Sequence, residues 1–534
     1  MPRVDLNSLP NELWLAVFES LTNPGDLCRV VRTCQRFHDL AIRVLYRHIV
    51  WDDPRWFATN FPYLLQHPEI NSVPRSLTLG ISQIQYNGSH VEQMENIRAI
   101  VDVHGDLRQP GPAMNHGVNF EEDYLSMVRS RREPIFVASV ALYSIVRDCI
   151  NAFSMLVELN FKNVLLPNDL YQMIHQFSRL RRLQIDHCTL PLSPTLIPSH
   201  RNLPITELTL LGLRGNREAK VLSLATAQNL RVLRFDWTAA VFRIFTDNSV
   251  KDPVPPHLEI IDAKFPPHKR WPSNPADAEE SFIQPFKSFL AMCPFVTRLH
   301  IRNHFPAFSM TPDILPRLTY YQGPLSTVAT VSVGRPVVAL DIRDPSGSLR
   351  NLTNGLQAVS ANQPELEELC IFLYQWDDEI LYAITHHFTN LRKIQIRYFR
   401  GTPSEDIILG MGSRFFFSLP QLHTAHIFKT LCDADERQNM PTHHFHHHHI
   451  VLIEPVPETD EDNEGDYEMS NSHNSTDGEE ENELKSLILA WNRYCPSIRE
   501  IQLLPGFVWR RSNEKDEWCK RRYKMAENQR DYNV

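Results

Sequence analysis

The sequence predicts a mixed α/β chain: three short helices at the N-terminus, then a solenoid in which strands and helices alternate. Three observations carry that expectation. Apolar residues in the first fifty positions recur at helical spacing, between residues suited to starting and stopping short helices. From about residue 150 a six-residue phrase, apolar-x-x-apolar-x-apolar, returns eleven times. Over 534 residues the composition is 42% hydrophobic and 22% charged, which supplies a large core in more than one domain.

The first helix opens at Leu9-Pro10-Asn11-Glu12-Leu13 and carries Leu13, Val17, Phe18 and Leu21 along one side. Asn23-Pro24-Gly25-Asp26 ends it and starts the second. Asn suits the N-cap, Pro the first helical position, and Asp26 sets a carboxylate at the positive end of the dipole. Leu27, Val30, Val31 and Cys34 follow at i, i+3, i+4 and i+7. A third helix is expected through Phe37, Leu40, Ala41, Val44, Leu45 and His48. Three such helices cannot bury all their apolar faces on one another, so a face is left for a partner or for the next domain.

The run Leu9-Pro10-x-Glu12-Leu13, with Val17-Phe18, Leu21, Asp26-Leu27, Thr33-Cys34 and Phe37, resembles an F-box over residues 6 to about 51, within an expected domain of 1–51. Phe37 stands where that family very often has Trp, and keeps an aromatic ring. The resemblance implies a helical module that docks the Skp linker subunit of a Skp–cullin–F-box ubiquitin ligase, through an apolar helix-in-groove contact. Carried over by position, the contact uses Leu9, Pro10, Val17, Phe18, Leu21, Leu27, Cys34 and Phe37.

The repeated phrase reads Leu156-Leu159-Phe161, Leu180-Leu183-Ile185, Ile205-Leu208-Leu210, Leu230-Leu233-Phe235, Leu258-Ile261-Ala263 and Val296-Leu299-Ile301. It continues as Val337-Leu340-Ile342, Leu366-Leu369-Ile371, Leu391-Ile394-Ile396, Leu422-Ala425-Ile427 and Ile498-Ile501-Leu503. Alternation inside each phrase predicts a strand with one buried face. The residues between, such as Leu170 to Ile174, read as helix, and helices are expected to stop before Cys293-Pro294, Gln363-Pro364 and Cys495-Pro496. Val73 with Leu77 and Leu79 is an earlier possible unit. A strand and a helix every ~20–29 residues is the leucine-rich-repeat pattern, in which no single unit buries its own face. The chain resembles F-box proteins with irregular leucine-rich repeats, in particular the large fungal class. One phrase carries the Cys that follows a well-formed repeat, Cys188, and spacing is irregular in the middle. The solenoid is expected over 52–440 and its last repeat and cap over 484–534.

Between them, 441–483 is expected to be a disordered insertion. It holds His-His-Phe-His-His-His-His at 443–449, and then 13 acids with no Lys or Arg over 454–483. That tract accounts for the net charge of −9, and the rest of the chain is slightly basic. The histidines lack the fixed spacing of a defined metal site, so no metal or cofactor is expected. Lys520-Arg521-Arg522-Tyr523-Lys524 reads as solvated helix surface or a weak nuclear-import signal.

Outward positions of the eleven phrases carry nine bases and eight acids. That balance suits protein recognition and argues against nucleic acid. The nine cysteines form no CxxC pair and read as free thiols of a reducing compartment. No secretory signal is visible, and the longest uncharged apolar stretch, 135–146, is too short to span a bilayer. A cytoplasmic or nuclear setting without membrane contact follows. Phosphate-loop, nucleophile-elbow and zinc-hydrolase motifs are absent. Asp186-His187-Cys188 and Asp377-Asp378-Glu379 read as ordinary strand-end and loop residues. The expectation is a non-enzymatic adaptor that holds a protein substrate near a ligase. The rival is a scaffold of the same architecture that promotes no ubiquitylation.

Overall fold

A computed structural model describes residues 9–52, 64–80, 150–189, 202–246, 254–266, 275–430 and 476–522, apart from positions 22, 65, 165, 167–169, 214–220, 304, 307, 344–348 and 514. The histidine run, the 135–146 stretch and most of the acidic tract lie outside the described residues. The chain divides into two compact units, Met1–Lys264 and Phe265–Val534.

The first unit begins with α1 (Asn11–Glu19), α2 (Pro24–Val31) and α3 (Gln35–Leu45). Seven strands follow: β1 (His48–Trp51), β2 (Ser76–Leu79), β3 (Glu158–Lys162), β4 (Arg182–Asp186), β5 (Glu207–Leu211), β6 (Val232–Asp236) and β7 (Ile260–Lys264). Each is parallel to the next and follows it in chain order. Parallel neighbours need a crossover, supplied here by α4 (Leu170–Gln176), a 3-10 turn at Val221–Thr226, and α5 (Ala239–Thr246). Chain-order pairing throughout makes the unit a solenoid.

Register follows the phrase. Leu159, Leu183, Leu208, Leu233 and Ile261 stand opposite one another on successive strands, and each is at most 1% exposed. One backbone bond also recurs. The N–H of the residue after each phrase's first position donates to the same position's carbonyl one repeat back, as from Arg181 to Val157 (2.7 Å), Thr206 to Arg181 and Arg231 to Thr206 (both 2.8 Å). The same bond runs from Val157 to Arg75 and from Arg75 to Arg47. It identifies two earlier phrases, Tyr46-Ile49-Trp51 and Pro74-Leu77-Leu79. His48, expected in the third helix, therefore belongs to β1. The helix ends at Leu45, where the chain turns into the sheet.

Strand ends share a left-handed residue: Asn163 (φ 54°) after β3, His187 (φ 54°) after β4 and Gly212 (φ 61°) after β5. Asn tolerates that region best among residues with a Cβ. Gly212 has a second reason, since a Cβ there would stand 2.6 Å from the His187 ring of the preceding repeat. Cys188 fills its repeat position as the phrase predicts. It is fully buried, and its thiol donates to the Phe161 and Asp186 carbonyls at 3.4 and 3.3 Å.

The second unit continues the pattern with β8 (Arg298–Arg302), β9 (Tyr320–Gly323), β10 (Ala339–Arg343), β11 (Glu368–Gln375), β12 (Lys393–Arg400), β13 (Thr424–Lys429) and β14 (Glu500–Gln502), all parallel. An antiparallel pair, β15 (Phe507–Arg510) and β16 (Cys519–Arg522), ends the sheet. Lys520-Arg521-Arg522 is thus strand, not helix surface, because it pairs with β15. All eleven phrases are strands. The wide interval between Val296 and Val337 hides a further phrase, Leu318-Tyr321-Gly323, which forms β9.

Helices α6 (Gln284–Ala291), α7 (Leu325–Ser332), α8 (Leu349–Asn362), α9 (Glu379–His387), α10 (Glu405–Arg414) and α11 (Thr476–Asn492) make the return legs. As expected, α6, α8 and α11 stop just before their Cys-Pro or Gln-Pro pairs. Helix α11 starts at Thr476, inside the stretch expected to be disordered. Buried Ile488 and Trp491 anchor it, and each further residue toward its start adds one backbone bond. Of the cysteines, Cys188, Cys293 and Cys495 are buried free thiols, whereas Cys28, Cys34 and Cys519 are exposed.

Candidate protein-docking site

The N-terminal helices close around a small core. Phe18 (2% exposed), Leu27, Leu40 and Ala41 form its centre, with Trp14, Leu15, Leu21, Val30, Val31, Phe37, Val44 and Leu45 packed around them. Three rings lock α1 to α3: Trp14 and Phe37 lie 4.5 Å apart, and Phe18 meets Phe37 edge-on at 5.3 Å. Asn23 caps α2, accepting the Gly25 N–H at 2.9 Å, as its sequence position predicts. The Arg36 guanidinium donates to the Leu9 carbonyl and, at 3.0 Å, to Asn11 Oδ1. Those bonds hold the start of α3, with Cys34 at its N-cap, against the start of α1. Arg47 pairs with Glu19, tying the end of α1 to the entry of β1.

The eight residues singled out from sequence separate by exposure. Phe18 and Leu27 point into the core. Leu9, Leu21 and Phe37 are half-buried, and Pro10, Val17 and Cys34 are exposed. Sequence reasoning missed Leu13. It is 52% exposed, one turn before Val17 at 49%, so the two side chains lie side by side on the solvent face of α1. The signal was available, because i and i+4 share a face. Large apolar side chains left in water beside Pro10 are what an apolar contact with another protein would cover.

The outward face of the strands is polar. In the first unit Glu158, Arg182 and Glu207 stand in register, with the Arg182 guanidinium between the two carboxylates and 2.9 Å from Glu207. In the second unit the middle row reads Asp341, Cys370, Gln395, His426 and Gln502. Asp341 is 1% exposed. Burial alone would raise its carboxyl, but Arg343 (3.2 Å) and Arg397 (3.8 Å) outweigh that and hold it below the usual carboxylate range. Burial pushes the neighbouring Cys370 thiol up to about 12, which leaves it protonated and a poor nucleophile. Glu500 accepts from His426 (2.6 Å) and Arg510 (2.5 Å). Those bonds override its burial and hold it at about 2.

The polar sets noted in the sequence have structural roles. His187 Nδ1 bonds Asp186 at 2.7 Å beside the left-handed turn. Asp377 accepts the Glu379 N–H at 3.0 Å, and Asp378 accepts from the Trp376 indole and the Ser404 hydroxyl, both at 2.6 Å. Among the described residues no group of three His, Cys, Asp or Glu could hold a metal ion. No described helix is long and apolar enough to cross a membrane.

An F-box-like family model matches residues 6–50, the segment that contains α1–α3. An internalin from Listeria monocytogenes is similar at 13% identity, over 55% of this chain and 80% of its own, with a TM-score of 0.23. The structure of the Drosophila Toll–Spatzle complex is similar at 12% identity, over 52% of this chain and 45% of that one, also at 0.23. The repeat architecture is carried by the strand order and register. No curated protein matches the chain.

Proposed function

We propose that this chain is the substrate-recognition adaptor of a Skp–cullin–F-box ubiquitin ligase. Its N-terminal module docks the Skp linker, and through it the cullin, while the solenoid holds a protein substrate. The observation that carries the reading is the exposed apolar strip Pro10, Leu13 and Val17 on an F-box-like module whose core is already complete. The chain contributes proximity rather than covalent chemistry: it raises the concentration of a substrate lysine near the ubiquitin-loaded enzyme. Buried free thiols suit the cytoplasm or nucleus, where such a ligase works.

The test is a reconstituted ligase with and without the chain. An adaptor is itself ubiquitylated when linker, cullin, ubiquitin-loaded enzyme and chain are combined, and omission of the linker abolishes the signal. Linker binding with no ubiquitin transfer would leave a scaffold instead.

A further inference from the structure

The near balance of outward bases and acids conceals an asymmetry. In the first unit four bases, Lys162, Arg182, Arg234 and Lys264, meet five acids. In the second, Arg298, Arg302, Arg343, Lys393 and Arg397 meet three, and each of those three carboxylates is already engaged. Glu368 pairs with Lys393 at 3.3 Å, Glu500 with His426 and Arg510, and Asp341 with Arg343 and Arg397.

One row concentrates the excess. Arg343, Phe372, Arg397 and Phe428 stand in register on β10, β11, β12 and β13, alternating guanidinium and ring. Two guanidiniums share the single Asp341 carboxylate, so the cluster carries a net positive charge. Three residues further along β12, the exposed Arg400 lies 5.0 Å over the Tyr374 ring. The buried Asp341 holds both arginines in place, so little side-chain entropy remains to be lost when an anion arrives.

We propose that this row, together with Arg400 three residues further along β12, seats an extended acidic peptide of a partner protein, its carboxylates facing Arg343, Arg397 and Arg400. The inference rests on the adaptor reading for its biological sense and adds the class of substrate segment. Geometry favours a peptide. Adjacent strands are ~4.8 Å apart, so the backbones that carry the two arginines stand ~10 Å apart, the length that three residues of extended chain span, while both guanidiniums reach toward Asp341. A nucleic acid would need open ring faces for stacking, and Phe372, between the two arginines, and Phe428, on the strand beyond them, are only 5% and 7% exposed.

The experiment uses the full chain and a fluorescein-labelled 13-residue peptide with Glu at every third position and Leu and Ser between, followed by fluorescence polarisation. The expected result is binding that weakens as sodium chloride is raised, with Arg397→Gln and Arg400→Glu each at least fivefold weaker and Arg182→Gln unchanged. Arg400 is exposed, so its variant keeps the test valid if Arg397→Gln disturbs folding. Equal binding of the peptide with Gln for Glu, unaltered binding by Arg400→Glu, or displacement by an oligouridine would overturn the proposal. Linker binding is measured on the same variants. If it persists while peptide binding is absent, the peptide site fails and the adaptor reading stands.

Discussion

At Gly323 the third apolar position of a repeat phrase is empty of side chain because a neighbour occupies the space. A Cβ there would stand 2.1 Å from the Tyr321 hydroxyl, which bonds Thr327 in the core. Gly323→Ala should therefore cost about 1–3 kcal/mol by overpacking, read as a lower urea midpoint with an unchanged slope. A neutral result would mean that the Tyr321 ring can move aside. Glu500 gives a pH-dependent prediction. Its folded value of about 2 lies below the ordinary 4.5, so its stabilisation is fully present above the unfolded value and is lost as pH falls through the folded one. Denaturation midpoints should drop between about pH 4.5 and 2, and Glu500→Gln should flatten that limb. An equally steep limb in the variant would place the acid sensitivity elsewhere.

Elements differ in how openly their sequences declare them. Every phrase with two branched or aromatic residues after its first position is a strand, since alternate burial leaves an unmistakable period of two. Strand β9 escaped because Gly323 removes the last apolar mark, and β1 because Tyr46 and Ile49 also continue the helical spacing of α3. The docking face was only partly legible. Helical periodicity marks which residues are apolar, not which side of a three-helix bundle is already covered. Phe18 and Leu27 thus looked like their exposed neighbours, and Leu13 like a core residue. The distinction can be measured on α1. Leu13→Ala should alter stability by no more than about 0.5 kcal/mol, whereas Phe18→Ala should cost about 3–5 kcal/mol. In the sheet, Leu183→Ala should cost about 2–5 kcal/mol, because its neighbours in register are also fixed. Thermal unfolding by circular dichroism checks all three, and similar losses for Leu13 and Phe18 would contradict the assignment of faces.

For the molecule as a whole, the F-box-like module runs into the strands of the first unit without a linker, since β1 is already hydrogen-bonded to β2 three residues after α3 ends. A protein held on that unit's strands would therefore be carried by the sheet that begins at the F-box-like module. Because module and strands are continuous, linker binding is measured on the full chain. The full chain and the Skp linker are co-expressed, wild type beside Leu13→Asp/Val17→Asp, and each preparation is run on size-exclusion chromatography with light scattering. The account predicts a stable one-to-one complex for the wild type, and a double variant that folds normally yet elutes alone. A wild-type chain that elutes alone, or a double variant that still binds the linker, would contradict it.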